Sequence, residues 1–362
     1  VYRRFAARVV KIQSIEKRSG AKSAIGSGFF VSSAGHVVTN YHVVSELINR
    51  PERYRAELLD GGERTRPVEV LAIDVVHDLA VLQTEPAGDP WFELGPESPD
   101  RGTRLYSMGH PHDLGLSIVE GTYNGLLEHT LYPKIHFTGS INPGMSGGPT
   151  VSAEGRVVGV NVSTAGEQVS FLVPVDRVIA LVAAATRPGY VRPDSLLQTV
   201  AQQLLSYQDT YLARLFADST HTVVLGGYQV PTEPAPFFKC WGDASHSRTR
   251  PYETIEHQCS TDDYVFISGE QWSGVLTLQH TVLSTTDLNR FRFYSLLTSQ
   301  FSGDGFEFQS REVVTPQRCT TGNVHHPGLT QQTQVMRDRG LLHRHRRFEQ
   351  ITGERQFQSF AN

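Results

Sequence analysis

Cysteine and methionine are scarce in this sequence, three of each in 362 residues. The cysteines, Cys240, Cys259 and Cys319, all fall in the last third, so most of the chain must fold without a disulfide and no dense disulfide framework exists. Hydrophobic runs are short as well. The longest aliphatic stretch, Val178 to Ala185, has eight residues, far below the roughly 18 needed to span a bilayer as a helix, and no membrane span is expected. An excess of one charge is also missing. With 33 basic and 37 acidic residues the net charge is -4, which gives no basic surplus for phosphate-backbone binding and argues against nucleic acid as a partner. The chain opens on Val1 and Tyr2 without a Met or a basic-then-apolar leader, and reads as a processed mature form or a trimmed one.

The chain is longer than one ordinary domain, which predicts two or more. Apolar residues at 39% against 19% charged are enough for real cores. Charge divides evenly about Pro188, whereas texture does not. Before it, short β-type runs at Val9 to Ile12, Gly28 to Val31, Val68 to Ile73, Leu79 to Leu82, Leu105 to Met108, Lys134 to Thr138 and Arg156 to Val162 are punctuated by turn residues, the pattern of an all-β barrel or sandwich. After it, Ser195 to Ala217 carries a helical apolar stripe with Asp194 as its expected N-cap. Further runs at Thr222 to Leu225, Tyr264 to Ile267, Val275 to Val282, Phe291 to Leu297 and Phe306 to Phe308 read as strands of a second β-rich domain. The expected organisation is a domain over 1–187, a linker and bridging helix over 188–218, a β-rich domain over 219–330, and a polar Arg/His-rich tail over 331–362, read as a final helix or a poorly ordered end.

Three segments in one order carry chemistry. Gly26 to Val44 reads as strand, hairpin and strand with His42 near its end; His77-Asp78-Leu79-Ala80-Val81-Leu82 places an acid just before a buried strand; Asn142-Pro143-Gly144-Met145-Ser146-Gly147-Gly148-Pro149 sets a serine in a glycine turn. A serine hydroxyl is a weak nucleophile unless an imidazole accepts its proton. His42 can do so, and Asp78 can fix the imidazole tautomer and stabilise the imidazolium. The glycines leave the amides of Gly144 and Ser146 open to a developing oxyanion, each such donor being worth about 10²–10³ in rate in comparable hydrolases. Singly these segments are ordinary turns. In the order His, Asp, Ser within one β-rich stretch they form a specific combination.

Together with Gly109-His-Pro-His-Asp-Leu-Gly115, Gly159-Val-Asn-Val162 and Val169-Ser-Phe-Leu-Val-Pro174, these motifs resemble the trypsin-like serine proteases, specifically their HtrA (DegP-like) branch, over roughly residues 9–182. The resemblance implies two six-stranded β-barrels with the triad in the cleft between them, and peptide-bond hydrolysis of protein substrates that needs no metal or other cofactor. It implies a primary pocket lined by Ser140, Val160, Val162, Ser170 and Leu172. Ser140, standing where trypsin-type relatives carry an acid, points to cleavage after small or apolar residues. Met145 departs from the family, where Asn is usual; it carries no carboxylate for activation by a new N-terminus, and its side chain could help hold a collapsed oxyanion loop. An aromatic N-terminal segment, here Tyr2 and Phe5, implies a trimer. A quality-control or regulatory role and a periplasmic or secreted location follow from the same resemblance. The HtrA-type PDZ loop has no counterpart after residue 188, so the second domain is expected to bind a protein partner or regulate. A dormant, protease-like scaffold or chaperone binding polypeptide through that half is the alternative.

Other candidate ligands are His110 with His112, and Cys240, His246, His257 and Cys259, but none has a zinc spacing and no metal is expected. Cys240 and Cys259 read as a bridge or as reduced thiols. Asn161-Val-Ser163 is a glycosylation tripeptide on an expected core strand. The basic run around His343 to Arg347 reads as a solvated face.

Overall fold

The computed structural model describes residues 1–301 except 62–63, 87, 89, 167, 218–220, 246–249, 262 and 274, and beyond them 318–326, 329–338 and 346–354. Contacts divide the chain into two units, Val1–Tyr211 with Asp263–Gly274, and Leu212–Asp262 with Val275–Asn362.

In the first unit, helix α1 (Tyr2–Phe5) precedes six strands, β1 (Val9–Glu16), β2 (Lys22–Phe30), β3 (His36–Thr39), β4 (Tyr54–Leu59), β5 (Thr65–Asp74) and β6 (Leu79–Gln83), with α2 (Tyr41–Asn49) after β3. They close into a barrel in the order β1-β2-β3-β6-β5-β4. Strand β5 shows why: Arg66, Val68 and Val70 are buried while Thr65, Pro67 and Glu69 are exposed, the two-residue alternation of a strand with one face in a core. A second closed barrel, in the order β10-β11-β12-β9-β8-β7, is built from β7 (Arg104–Gly109), β8 (Ser117–Leu126), β9 (Ile135–Thr138), β10 (Pro149–Val151), β11 (Val157–Thr164) and β12 (Ser170–Pro174). Closure leaves neither sheet with an open edge. This is the expected pair of six-stranded barrels.

One apolar cluster runs from Phe29 and Val81 of the first barrel through Phe92 to Met108, Val151 and Val160 of the second, and Val175 and Val178 of α3 (Val175–Thr186) close it. Phe5 is buried in the same cluster, its ring 5.7 Å from that of Phe92, whereas Tyr2 stays exposed.

Helix α4 (Leu196–Ala217) is capped by Ser195, whose hydroxyl accepts the Gln198 amide at 3.3 Å, and not by Asp194 as the sequence suggested. Its first turns belong with the barrels. Leu196 and Val200 are buried, and Gln203 donates to Ile73 O at 2.7 Å and accepts from Val75 N at 2.8 Å. The division between the two units falls inside this helix, between Tyr211 and Leu212.

The second unit holds a hairpin of β13 (His221–Leu225) and β14 (Tyr228–Thr232), then β15 (Lys239–Ser245) and β16 (Glu253–Ser260). The chain next returns to the first unit with the short hairpin β17 (Phe266–Ser268) and β18 (Gln271–Trp272). It continues in the second unit with β19 (Thr277–Ser284), α5 (Arg290–Phe301), β20 (Arg318–His326), β21 (Leu329–Asp338) and β22 (Arg346–Glu354), giving a sheet in the order β15-β16-β19-β22-β21-β20. Only its β19 and β22 pair in parallel.

Two expectations are corrected here. Phe291 to Leu297 lies in α5, not in a strand; Asn289 accepts the Arg292 amide through its side chain at 3.0 Å, an N-cap that outweighs the β propensity of the aromatics. The segment after 331 contributes β21 and β22 where a helix or loose tail was expected. Cys240 and Cys259 stand opposite each other in the β15–β16 register and form a disulfide. The His257 ring lies beside them, its Nδ1 3.9 Å from Cys259 Sγ. His246, Phe306 to Phe308 and His343 to His345 lie outside the described residues.

Candidate active site

His42 sits in the first turn of α2, immediately after β3. Asp78 lies in the turn before β6, buried, with φ at +55°. That left-handed conformation is uncommon for a residue bearing a Cβ, and is tolerated better by Asp than by most. It is held from several directions. Asp78 O accepts from Asn40 Nδ2 at 2.7 Å and from the Tyr41 amide at 3.2 Å, while Oδ1 accepts the His42 amide at 2.8 Å. The second carboxylate oxygen, Oδ2, is 2.6 Å from His42 Nδ1. With Oδ1 fixed by the backbone, Oδ2 can only face the ring, so the remaining nitrogen, Nε2, is the one left to accept a proton. Burial alone would depress the basicity of His42. The charge of Asp78 and its hydrogen bond act the other way and prevail, leaving the imidazole pKa above its ordinary value.

Ser146 follows a turn whose geometry is set by backbone. Met145 N donates to Asn142 O at 3.0 Å, Pro143 fills the second position, and Gly144 at the third has φ of +97°, the pattern of a type II turn. A Cβ at Gly144 would collide with His110 O, so only glycine fits. Among the described residues the amides of Gly144 and Ser146 donate no hydrogen bond, and both remain available to an anion. Met145 turns inward, fully buried among Leu105, Tyr123, Phe137, Ile141 and Leu172, and so pins the turn to the second barrel's core.

The two halves of the site meet at Ser27, through its backbone and its hydroxyl. The Ser27 amide on β2 donates to Ser146 O at 2.8 Å, Ser27 Oγ donates to Gly144 O at 2.7 Å, and Thr39 Oγ1 donates to Ser27 O at 2.6 Å. Gly147, at φ +84°, approaches so closely that a Cβ would strike Ser27 O and Thr39 Oγ1 and come within 2.9 Å of Asn40 N. The serine loop thus lies against the residues that lead into His42. Among the described residues no hydrogen bond joins the Ser146 hydroxyl to His42. Such contacts often tighten only when substrate is bound.

The sequence marks Asn161 only as the head of a glycosylation tripeptide and gives it no place in the site. It is wholly buried on β11, directly behind the serine loop. Its Oδ1 accepts the hydroxyls of Ser107 (2.8 Å) and Thr150 (2.7 Å), and its Nδ2 donates to Met108 O and Met145 O, both at 3.1 Å. Its backbone accepts the Gly147 amide and donates to Gly148 O. The only signal was a polar residue on an otherwise apolar strand, and a glycosylation reading has no support at a buried side chain.

The five pocket candidates separate. Val160 and Leu172 are fully buried in apolar clusters and Val162 is partly buried against one of them. Ser170 is buried, donating to Gly139 O at 2.6 Å and accepting the Ile141 amide at 3.2 Å. Ser140 is exposed, and its carbonyl accepts from Asn142 Nδ2 at 3.2 Å.

A buried acid–imidazole pair and a serine beside unengaged amides, on twin six-stranded barrels, make up the arrangement of a trypsin-like peptidase domain. Residues 26–160 match the family model described as a trypsin-like peptidase domain. Similar proteins include Protease Do-like 5, chloroplastic, of Arabidopsis thaliana, 30% identical over 190 residues, covering 46% of this chain and 58% of the relative. Serine protease HTRA2, mitochondrial, of Drosophila pseudoobscura pseudoobscura is 32% identical over 172 residues, covering 45% of this chain and 39% of the relative. A probable periplasmic serine endoprotease, DegP-like, of Hahella chejuensis is 33% identical over 172 residues, covering 44% and 35%. The trypsin-like half of the chain is therefore similar to HtrA and DegP-like proteases, and the chain spans between about a third and three fifths of these relatives. Their origins are plant, animal and bacterial, so a bacterial source does not follow from the likeness.

Proposed function

We propose that the trypsin-like half is a serine endopeptidase acting on protein or peptide substrates, with Ser146 as nucleophile, His42 as general base and acid, and Asp78 as the group that orients His42. The observation that carries this reading is the clamp of Asp78 on both the His42 amide and Nδ1, opposite a serine flanked by unengaged amides. Ser146 Oγ attacks the scissile carbonyl and its proton passes to His42 Nε2. The carbonyl oxygen, now an oxyanion, is received by the amides of Gly144 and Ser146. His42 then gives the proton to the leaving amine, and water hydrolyses the acyl-enzyme by the reverse sequence. No cofactor is required by these steps.

The exposed Ser140 and the partly buried Val162 on β11 favour small or apolar side chains before the scissile bond. Quality control or regulation in a periplasmic or secreted setting fits the DegP-like likeness, with a protein partner for the second unit. Trimerisation through the N-terminal segment would draw on Tyr2, since Phe5 is already buried within its own chain. The dormant-scaffold alternative draws on the absence of a Ser146–His42 hydrogen bond among the described residues. A fluorophosphonate probe separates the two: a covalent adduct on the wild type that vanishes in Ser146→Ala is expected, and an adduct indifferent to that substitution, or none on folded wild type with or without a peptide ligand, would overturn the endopeptidase reading.

A further inference from the structure

Residues 263–274 come back to the barrels after some fifty residues that fold into the other unit. The return is anchored at both ends. At its start, Asp263 accepts from Lys134 Nζ at 2.7 Å and from the Leu131 amide at 3.3 Å, both in the segment between β8 and β9 of the second barrel. Lys134 is itself buried, so this ion pair sits where a lone charge would be costly. At the far end, the Ile267 carbonyl accepts from Tyr41 Oη at 2.8 Å and from Asn49 Nδ2 at 3.4 Å, and Glu270 accepts from Arg50 Nη2 at 3.1 Å. Tyr41, Asn49 and Arg50 belong to α2 or its C-terminus on the first barrel. The hairpin closes on itself through Val265 and Ser273, whose amides donate to Ser273 Oγ at 2.8 Å and to Val265 O at 2.9 Å.

Between the anchors lies Phe266. Its ring stands edge-to-face to those of Tyr41, 6.3 Å away, and His42, 5.9 Å away. His42 is therefore gripped by Asp78 at Nδ1 and packed by an aromatic ring from a distant part of the chain. We propose that the 263–274 hairpin is a working part of the catalytic centre, a strap from the second barrel to the first in which Phe266 is a positioning residue that holds the His42 imidazole on Asp78. The inference rests on the assignment of His42 as the base. An imidazole can leave its partner by rotating about χ1. Asp78 alone opposes that rotation with one hydrogen bond, and the Phe266 ring adds an apolar neighbour that also limits water's access to the shared proton. Tyr41 reinforces the arrangement because its buried hydroxyl, with a pKa raised to about 12 chiefly by burial, stays protonated and donates to Ile267 O.

The test uses the full chain and two readouts. In a Ser146→Ala background, the His42 Nδ1 proton is followed by NMR. Phe266→Ala is expected to speed its exchange with water by at least ~10-fold, while Phe266→Tyr keeps it within about twofold. In the Ser146 background, Phe266→Ala is expected to slow fluorophosphonate labelling by roughly 10-fold, as small misplacements of catalytic groups do, with Phe266→Tyr restoring it. Unchanged exchange in a Phe266→Ala variant that still unfolds cooperatively would overturn the proposal, as would faster labelling, which would make the hairpin an occluding cover. Should Phe266→Ala not fold, Tyr41→Phe, which removes the hydroxyl holding Ile267 O, is expected to change both readouts in the same direction by about threefold, and no change would overturn it. Failure of the wild type to label would sink the endopeptidase reading alone, because the exchange measurement needs no activity.

Discussion

The two barrels contribute to the site by different means. The first presents His42 and Asp78, and it fixes them with side-chain chemistry: a carboxylate in a left-handed turn, held at its carbonyl by Asn40 and the Tyr41 amide, spends one oxygen on a backbone amide and the other on the ring. The second barrel presents Ser146 and holds it through its loop's backbone, by a type II turn and by carbonyls received by Asn161 and by Ser27 of the first barrel, with the buried Met145 side chain as anchor. On the roles proposed above, the group that changes protonation is held by charge, and the group that offers amides to an anion is held so that those amides stay unengaged. Damage on the first side should therefore strike rate with little loss of fold, and damage behind the second should strike fold first.

The largest expected break in that comparison is Asp78→Asn. The amide can still accept the His42 backbone N–H, so the fold should persist, but its NH₂ would face Nδ1 and impose the wrong tautomer on the imidazole. Peptide hydrolysis is expected to fall by about 10⁴-fold, as in comparable hydrolases, with the unfolding midpoint nearly unchanged. Parallel kinetics and thermal melts check it, and a loss of rate matched by a collapse in stability would show that the acid is a structural residue first.

Next in size is Asn161→Ala. It leaves the Ser107 and Thr150 hydroxyls without the acceptor they have now and takes the Nδ2 donor from the Met108 and Met145 carbonyls, of which Met145 O keeps the Gly148 amide. Each buried orphan costs about 1–3 kcal/mol, and with some relaxation a total of about 3 kcal/mol of lost stability is expected. Urea unfolding measures it. Activity per folded molecule should fall less than in Asp78→Asn, since the Gly144 turn keeps its own closing bond.

These two positions also mark what could be read from the sequence. The barrels were legible because alternation, turn residues and three motif segments all agree, and agreement across levels is what a folded sequence requires. The place of Asp78 just before a strand was legible because its neighbours Leu79 to Leu82 announce a buried strand. Asn161 was not, since a polar residue in a strand carries no sign of which four groups it will satisfy. Phe266 was hidden for a related reason: its partner His42 lies more than two hundred positions away, and no local pattern encodes so distant a contact. The error at α5 has another source. Arg290 to Phe301 is rich in aromatics that favour strands, and the Asn289 cap, worth about 1 kcal/mol, was the only local signal to the contrary.

The smallest expected effect concerns His110, which backs the Gly144 turn: its amide donates to Ser27 Oγ at 2.9 Å, and its carbonyl is the atom that forbids a Cβ at Gly144. Burial first, and the nearby positive charge of Lys11 second, lower its pKa to about 4, against a weaker opposing pull from Asp113. In the unfolded chain the same group titrates near its ordinary 6.5. Between about pH 6.5 and 4 the unfolded chain therefore binds a proton that the folded one refuses, and stability present above 6.5 is lost as pH falls through that window. For a group not wholly enclosed the loss should be about 2 kcal/mol. His42 has the opposite sign: its raised pKa stabilises the fold at low pH and loses that contribution as pH rises. A wild-type pH profile mixes the two, but the difference between wild type and His110→Gln isolates the first. Urea midpoints at pH 7 and pH 4.5 should fall further apart in the wild type than in His110→Gln, and equal separations would mean that the imidazole behind the Gly144 turn accepts its proton without strain.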